Sequence, residues 1–325
     1  MTKLADSYQR PVNYLRISVT DRCNLRCIYC MPPEGVPLMS HDEILTYEEV
    51  FVVAKAAAQL GIIKLRITGG EPLVRADLSR LVSMLAGIEG IDDISLTTNG
   101  MLLERFAGEL RQAGLHRINV SLDSLREDRF HAITRVGDLQ PVLRGIDAAR
   151  RAGLNPVKTN SVVIRGINED EVIDFARLTL EDDWHVRFIE YMPFDNGEER
   201  SQMFVPVSEM REQLKPLGKL EPSPRSGNGP AKYFRFSSAK GTVGFISAIS
   251  EHFCEGCNRL RLTADGKLRP CLFSDEEIDM RGPLRQGATA EDLKDLIREA
   301  VSRKPKGHRL RAGVACHRYM AQIGG

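Results

Sequence analysis

Cys23, Cys27 and Cys30 stand in a C-x3-C-x2-C pattern, and Cys254, Cys257 and Cys271 form a second group spaced C-x2-C-x13-C. A cubane iron–sulfur cluster normally takes four thiolates, so a compact group of three leaves one iron open to bind a substrate. The first spacing differs from the C-x2-C pairs of zinc ribbons, and the nearest further ligand type, His41, is distant in sequence. In the second group His252 or Cys316 would complete a tetrahedral zinc site, so on spacing alone zinc and a cluster both stay open. Cys316 otherwise reads as a buried thiol.

Such chemistry needs a reducing compartment, where close cysteine spacings point to metals rather than disulfides. Residues 1–10 include an Asp and no apolar stretch. No uncharged apolar run approaches the roughly 18 residues of a membrane helix, so the expectation is a soluble, cytoplasmic protein without membrane contact. With 325 residues and a net charge of +1, the chain suits a large α/β domain with an appendage. It lacks the broad positive field of a nucleic-acid binder. The basic stretch 303–318 reads as a solvated charged face.

Six strand-like runs, at 14–19, 63–68, 93–98, 117–122, 157–163 and 185–191, alternate with helical patterns near 47–60, 77–88, 102–113, 139–152 and 170–180. This alternation implies parallel strands joined by crossover helices. Six strands fall short of the eight that close a TIM barrel. The fold class expected is therefore α/β, a partial (six-stranded, open) TIM-type βα barrel. Beyond 195 a Pro/Gly/Ser-rich break at 222–230 precedes strand-like runs at 232–237, 242–246 and 259–262. The division expected is a barrel over 1–220 and a smaller C-terminal region over 221–325 that closes it.

Successive strand side chains point to opposite faces. The first strand sets Leu15, Ile17 and Val19 against Tyr14, Arg16 and Ser18, and the second sets Leu65 and Ile67 against Lys64, Arg66 and Thr68. The fourth sets Ile118, Val120 and Leu122 against Arg117, Asn119, Ser121 and Asp123. Since the apolar faces must meet the helices, the polar ones point into the barrel and form a ligand chamber. With Lys158 and Arg187 added, the inward set is rich in cations and suits a highly anionic ligand. The chain has no G-x4-GK-[ST] loop, so phosphate recognition falls to these side chains.

The run Cys23-Asn24-Leu25-Arg26-Cys27-Ile28-Tyr29-Cys30 resembles the signature of the radical S-adenosylmethionine (SAM) superfamily. Gly69-Gly70-Glu71-Pro72, at the end of the second strand, resembles that superfamily's second motif, which contacts the SAM amino group; glycine there lets the backbone approach a ligand closely. The segment 253–268 with Cys271-Leu272-Phe273 is similar to the C-terminal motif of the GTP 3',8-cyclases of molybdenum-cofactor synthesis. Segments 14–22, 64–68, 97–100, 121–124 and 187–193 and the terminal Ile323-Gly324-Gly325 resemble that family too. Tyr8-Gln9 departs from the family's aromatic–glycine pair, and Ala248 stands where proline is expected.

The resemblance implies SAM and two [4Fe-4S] clusters, each held by three cysteines. It implies that Cys23, Cys27 and Cys30 hold the SAM cluster, that Tyr29, Gly70, Ser121 and Met192 contact SAM, and that Cys254, Cys257 and Cys271 hold a cluster whose open iron meets the guanine. It places Arg16, Arg66, Thr97, Lys158, Arg259, Leu260 and Arg261 on GTP, with Lys64 and Arg187 nearby. It sends Gly324 and Gly325 into the reaction chamber. In the implied reaction a 5'-deoxyadenosyl radical takes the 3' hydrogen of GTP, and the ribose radical attacks C8 of the same guanine. The products are 3',8-cyclo-7,8-dihydro-GTP, 5'-deoxyadenosine and methionine, in the first step of molybdenum-cofactor biosynthesis.

Implied partners are a reduced flavodoxin or ferredoxin-type electron donor, cyclic pyranopterin monophosphate synthase as the next enzyme, and a second copy in a homodimer. Two other classes compete. Another radical SAM enzyme with an auxiliary cluster, such as a peptide modifier, would share the first cysteine group but not Asn258-Arg259-Leu260-Arg261 or the Gly-Gly end. A metal-dependent nucleic-acid-binding protein would need a concentrated basic surface.

Overall fold

Strands that are apolar at every second residue can bury one face against helices and leave the other for a ligand. In the computed structural model, which describes residues 4–192, 202–224, 229–308 and 318–324, this is how the chain is organised. Strands β1 (Tyr14–Ser18), β2 (Lys64–Thr68), β3 (Asp93–Thr98), β4 (Arg117–Ser121), β5 (Val157–Val163) and β6 (His185–Glu190) lie side by side, each parallel to the next. Leu15, Leu65 and Ile94 are in register and fully buried, as are Leu96 and Ile118, and they join the helices in one hydrophobic core.

The chain then adds β7 (Leu220–Pro222), β8 (Lys232–Phe236), β9 (Thr242–Ile246), β10 (Arg259–Leu262), β11 (Lys267–Arg269) and β12 (Ile278–Asp279). Here the structure departs from the sequence expectation. These strands do not close a six-stranded sheet from one side but extend it at both edges, giving one open sheet of 12 strands in the order β12-β11-β10-β1-β2-β3-β4-β5-β6-β9-β8-β7. β9 runs parallel to β6 and β10 parallel to β1, while the outer strands pair antiparallel. The physical reason is edge pairing: β1 and β6 each bear an unpaired row of backbone groups unless another strand covers it.

The crossover helices are α1 (Tyr47–Gln59), α2 (Leu78–Ala86), α3 (Leu103–Gln112), α5 (Leu139–Arg151) and α6 (Val172–Glu181), with an additional short α4 (Glu127–Thr134) that the sequence reading did not separate. α1 opens with a capping box between Thr46 and Glu49. Three of these helices stop in the same way. After α1, Gly61 takes φ +99°, its amide donates to Ala58 O, and the Ile62 amide donates to Ala57 O at 3.1 Å. This is a Schellman motif, which needs a left-handed residue and satisfies the last carbonyls. Gly114 with Leu115 and Gly153 with Leu154 repeat it after α3 and α5, and Ile62, Leu115 and Leu154 are all buried. Each motif turns the chain back into the next strand.

Nothing lies within 4 Å of a Cβ built on Gly61, so the cost of a side chain there is conformational alone. Gly61→Ala is expected to destabilise the protein by about 1–2 kcal/mol, read as a lower denaturant midpoint with an unchanged slope. An unchanged midpoint would contradict the role given to the left-handed turn.

Candidate functional site

Parallel register puts equivalent residues of neighbouring strands in rows across the inward face. Arg261, Arg16, Arg66 and Ser95 form one row. Thr97, Asn119, Lys158 and His185 form the next, and Ser121, Asn160, Arg187 and Gly244 a third. Gly244 leaves space beside Arg187, since a Cβ there would sit 2.9 Å from the arginine Cγ. One cavity opens over this face, lined by Arg16, Arg66, Arg187, Arg259 and Arg261. Asp123 is the sole carboxylate residue among its described lining.

These cations are expensive where they stand. Burial first, and then the repulsion of Arg261 and Arg66, hold Arg16 well below the usual arginine range, while burial and Arg259 bring Arg261 down to about 9. Lys158 is pushed down to about 6 by burial and by Arg187, Arg117 and Arg66. It does not line the cavity; its Nζ donates to the Tyr233 hydroxyl at 3.2 Å. Lys64 sits deeper, 2.8 Å from Asp93, and Leu260 packs in the apolar core opposite Leu15. Neither side chain lines the cavity.

Both cysteine trios line that same cavity, together with Tyr29, Gly70, Thr97, Ser121 and Met192. The first trio sits on a loop after β1 whose amides at Arg26 and Ile28 donate to Thr134 and Ile133 at the end of α4. Tyr29 donates its hydroxyl to Asp123 Oδ2 at 2.7 Å, and Asp123 Oδ1 accepts from the Val162 amide at 2.8 Å. Burial raises the Asp123 carboxyl to about 6. Burial also raises the thiols of Cys23 to about 11 and Cys30 to about 12. At Cys257, burial is outweighed by Arg259 and Lys304, and the thiol falls to about 6.

The Gly-Gly-Glu-Pro segment lines the cavity and also braces the cysteine loop. A Cβ on Gly70 would lie 2.4 Å from the Arg22 carbonyl oxygen, so this glycine is required by the approach of the cysteine loop's own backbone. Glu71, fully buried, accepts from Thr98 Oγ1 at 2.7 Å and from the amides of Leu73 and Asn99 at 3.0 and 2.6 Å. It thereby ties the end of β2 to the end of β3, and burial raises it to about 7.

Does each trio fit a cluster? Among the described residues, the side chains of metal-binding type whose ligand atoms all lie within 4.8 Å of one another are His252, Cys254 and His308; neither trio brings its three sulfurs that close. A tetrahedral zinc ion, with Zn–S bonds of about 2.3 Å, would hold sulfurs about 3.8 Å apart. A trio of thiolates suits a cluster that keeps one iron open. The second trio is held by two buried cations that reach backbone carbonyls. Lys304 Nζ donates to Arg259 O at 2.7 Å and Pro270 O at 3.1 Å, and lies 3.8 Å from Cys257 Sγ. Arg10, anchored on Asp6, donates to Cys254 O, Lys306 O and Pro305 O.

The chain's end returns to this chamber. Gly324 is buried at φ +83°, a Cβ on it would lie 2.5 Å from Thr68 Oγ1, and its carbonyl accepts from Arg261 Nη1 at 2.9 Å. Arg318 fixes the segment by donating to both oxygens of Asp265 at 3.1 and 2.9 Å and by pairing with Glu277. Gly325 and Cys316 lie outside the described residues. Sequence reading set Asp123 among the inward polar residues without giving it a role, and missed Glu71, Lys304 and Arg10 as site residues. Asp123 was legible because it continues the polar alternation of β4 two residues past its end, whereas Lys304 and Arg10 bond to carbonyls remote in sequence and leave no motif.

Residues 17–179 match the sequence model of the radical SAM superfamily, and residues 184–310 match that described as Molybdenum Cofactor Synthesis C. A GTP 3',8-cyclase of Pelotomaculum thermopropionicum is 54% identical over 325 residues, covering 99% of this chain and 100% of that one. One from Moorella thermoacetica is 52% identical over 323 residues, with coverage of 99% and 100%. Among solved structures, Streptococcus suis SuiB bound to precursor peptide SuiA shares the fold with a TM-score of 0.60 at 14% identity, over 89% of this chain; this chain spans 65% of SuiB. No described helix is long and apolar enough to cross a membrane.

Replacing Lys304 by methionine keeps its length and leaves the Arg259 and Pro270 carbonyls without their donor, at about 1–3 kcal/mol for each unsatisfied group. After anaerobic reconstitution, Lys304→Met is expected to hold about half the iron of the parent, lost from the second trio while the first retains its share. A full iron content would contradict the role assigned to Lys304.

Proposed function

The chain belongs to the GTP 3',8-cyclases, the radical SAM enzymes that begin molybdenum-cofactor biosynthesis, and from that premise we propose how its residues divide the work. GTP is the substrate. The observation that carries the proposal is the set of buried, mutually repelling cations facing a cavity bordered by two cysteine trios.

Cys23, Cys27 and Cys30 would hold a [4Fe-4S] cluster that binds SAM, and Cys254, Cys257 and Cys271 a second [4Fe-4S] cluster. When bound, these groups supply the 5'-deoxyadenosyl radical that abstracts the 3' hydrogen and an open iron for the guanine. Tyr29, Gly70, Ser121 and Met192 border the SAM end of the chamber, with Asp123 holding the Tyr29 ring in place through its hydroxyl. Arg16, Arg66, Thr97, Arg259 and Arg261 take the GTP, the arginines through charge-assisted hydrogen bonds. Lys64 and Arg187 add to the positive potential around it, and Lys158, near neutral at pH 7, gains a proton as the triphosphate arrives. Leu260 shapes the strand that presents its two arginines, with its own side chain in the core. Gly324 sits at the edge of the chamber where no larger residue fits, and the family resemblance extends its role to Gly325. Their task, with the cations, is to hold ribose and base in one reactive pose and keep water out.

In this reading β1–β6 form the six-stranded partial barrel of 1–220 that generates the radical, and 221–325 carries the auxiliary cluster, guanine recognition and the Gly-Gly tail. The protein would work in the cytoplasm as a homodimer, take electrons from a reduced flavodoxin or ferredoxin-type donor, and pass its product to cyclic pyranopterin monophosphate synthase.

The division of labour is tested by replacing each trio with alanine in anaerobic assays with GTP, SAM and a reductant. Loss of the first trio is expected to abolish SAM cleavage. Loss of the second is expected to leave uncoupled cleavage but no cyclised nucleotide; full cyclisation by that variant would overturn the assignment.

A further inference from the structure

His252 and His308 have no part in the chemistry above, yet both are brought beside Cys254, with His308 lining the cavity. His252 Nδ1 lies 3.0 Å from His308 Nε2 and the rings meet edge-on, with centroids 4.6 Å apart. Ligand atoms of these two imidazoles and the Cys254 sulfur all fall within 4.8 Å of one another. The arrangement is built rather than incidental. Arg10 ties the Cys254 carbonyl to those of Pro305 and Lys306, which brings the following His308 alongside. His308 Nε2 also lies 2.7 Å from the Ala248 carbonyl, a contact that an ion on that nitrogen displaces, and the ring is fixed by Phe273, with centroids 4.9 Å apart. His252 is exposed and gives an ion a path from solvent.

The chemistry of this donor set selects the ion. Two imidazole nitrogens and one thiolate match borderline-soft zinc, whose Zn–N and Zn–S bonds of about 2.0–2.1 and 2.3 Å place ligand atoms about 3.3–3.8 Å apart. The 3.0 Å between the imidazole nitrogens is close to that requirement. Water would complete the tetrahedron, as in zinc sites with three protein ligands. The sulfurs of Cys254, Cys257 and Cys271 are too widely placed to grip one ion together.

We propose that His252, Cys254 and His308 form a zinc site that is filled only while the second cluster is missing, so that zinc and that cluster exclude each other through their shared Cys254. Binding converts the Cys254 thiol to thiolate and releases its proton to solvent. The zinc site stands on the geometry alone, whereas the exclusion rests on Cys254 being a ligand of the second cluster. A chain that has taken zinc cannot complete that centre until the ion is removed.

The test uses the full-length, cluster-free protein and Co2+ as a spectroscopic probe, displaced afterwards by Zn2+. One Co2+ per chain is expected, with tetrahedral visible bands and a thiolate charge-transfer band. His252→Gln and His308→Gln are each expected to weaken binding about tenfold or more, while the double variant Cys257→Ser, Cys271→Ser binds as tightly as the parent. Reconstitution of the cluster on Cys23, Cys27 and Cys30 certifies that each variant is folded. Binding that ignores both histidines, or that vanishes with Cys257 and Cys271, would overturn the site. For the exclusion, protein preloaded with zinc is expected to take up about half the parent's iron, and His308→Gln to restore full uptake. Full iron uptake with zinc still bound would overturn the exclusion alone.

Discussion

Positive charges buried side by side repel, and in this protein the arrangement of everything else follows from putting them there. Neighbouring strands are about 4.8 Å apart, and at that distance two unit charges repel by roughly 3 kcal/mol at an effective dielectric of ~20. The row Arg261, Arg16 and Arg66 runs across three such strands. Its cost is visible in the lowered basicity of Arg16 and Arg261. A triphosphate reverses the sign of the interaction. The free protein therefore holds these side chains in an unfavourable state that the substrate relieves, which favours GTP over an uncharged nucleoside.

Such a face survives because the opposite one is largely apolar and because the carboxylates nearby are engaged elsewhere. Glu71, Glu171 and Glu190 are buried, but each spends its oxygens on backbone amides or hydroxyls, and Glu171 also pairs with Arg129. They pin the segments that follow β2, β3, β4 and β9 without neutralising the chamber. Lys304 and Arg10 do the converse, satisfying carbonyls around the second trio. Charge–backbone bonds of this kind are strong and specific in position. They fix two otherwise separate cysteine groups on the border of one cavity. The same ties bring His252 and His308 to Cys254, so the device that assembles the second trio also assembles a competing set of ligands.

Much of this was legible in the sequence, for a physical reason: side-chain alternation is local. The inward placement of Arg16, Arg66 and Arg187 follows from the two-residue period of their own strands, and the cysteine spacings announce open-iron chemistry. What escaped was non-local. β9 and β10 are five and four residues long, too short for periodicity to say which edge they cover, so the sheet extends at both sides where a single closing region was expected. Leu260 lies between two cavity-facing arginines, and the alternation that presents them sends it into the core. That Gly70 also makes room for the backbone of the cysteine loop, whose Arg22 carbonyl oxygen would lie 2.4 Å from a Cβ there, depends on a contact remote in sequence. Gly324 shows the reverse case, since its buried position beside Ser18 and Thr68 was suggested by resemblance and by no pattern in the chain itself.

The central claim, that the inward cations await a polyanion, is tested most directly by calorimetric titration of the anaerobically reconstituted protein with GTP and with guanosine at fixed salt. Three or more charge-assisted phosphate contacts, each worth about 1.5–3 kcal/mol, predict that GTP binds at least ~100-fold more tightly. Buffers of different ionisation enthalpy should further reveal net proton uptake on GTP binding above pH 7 that Lys158→Met lacks, because Lys158 starts with a pKa of about 6 and an adjacent anion raises it. Equal affinities for GTP and guanosine, with the same proton uptake in both proteins, would contradict the account.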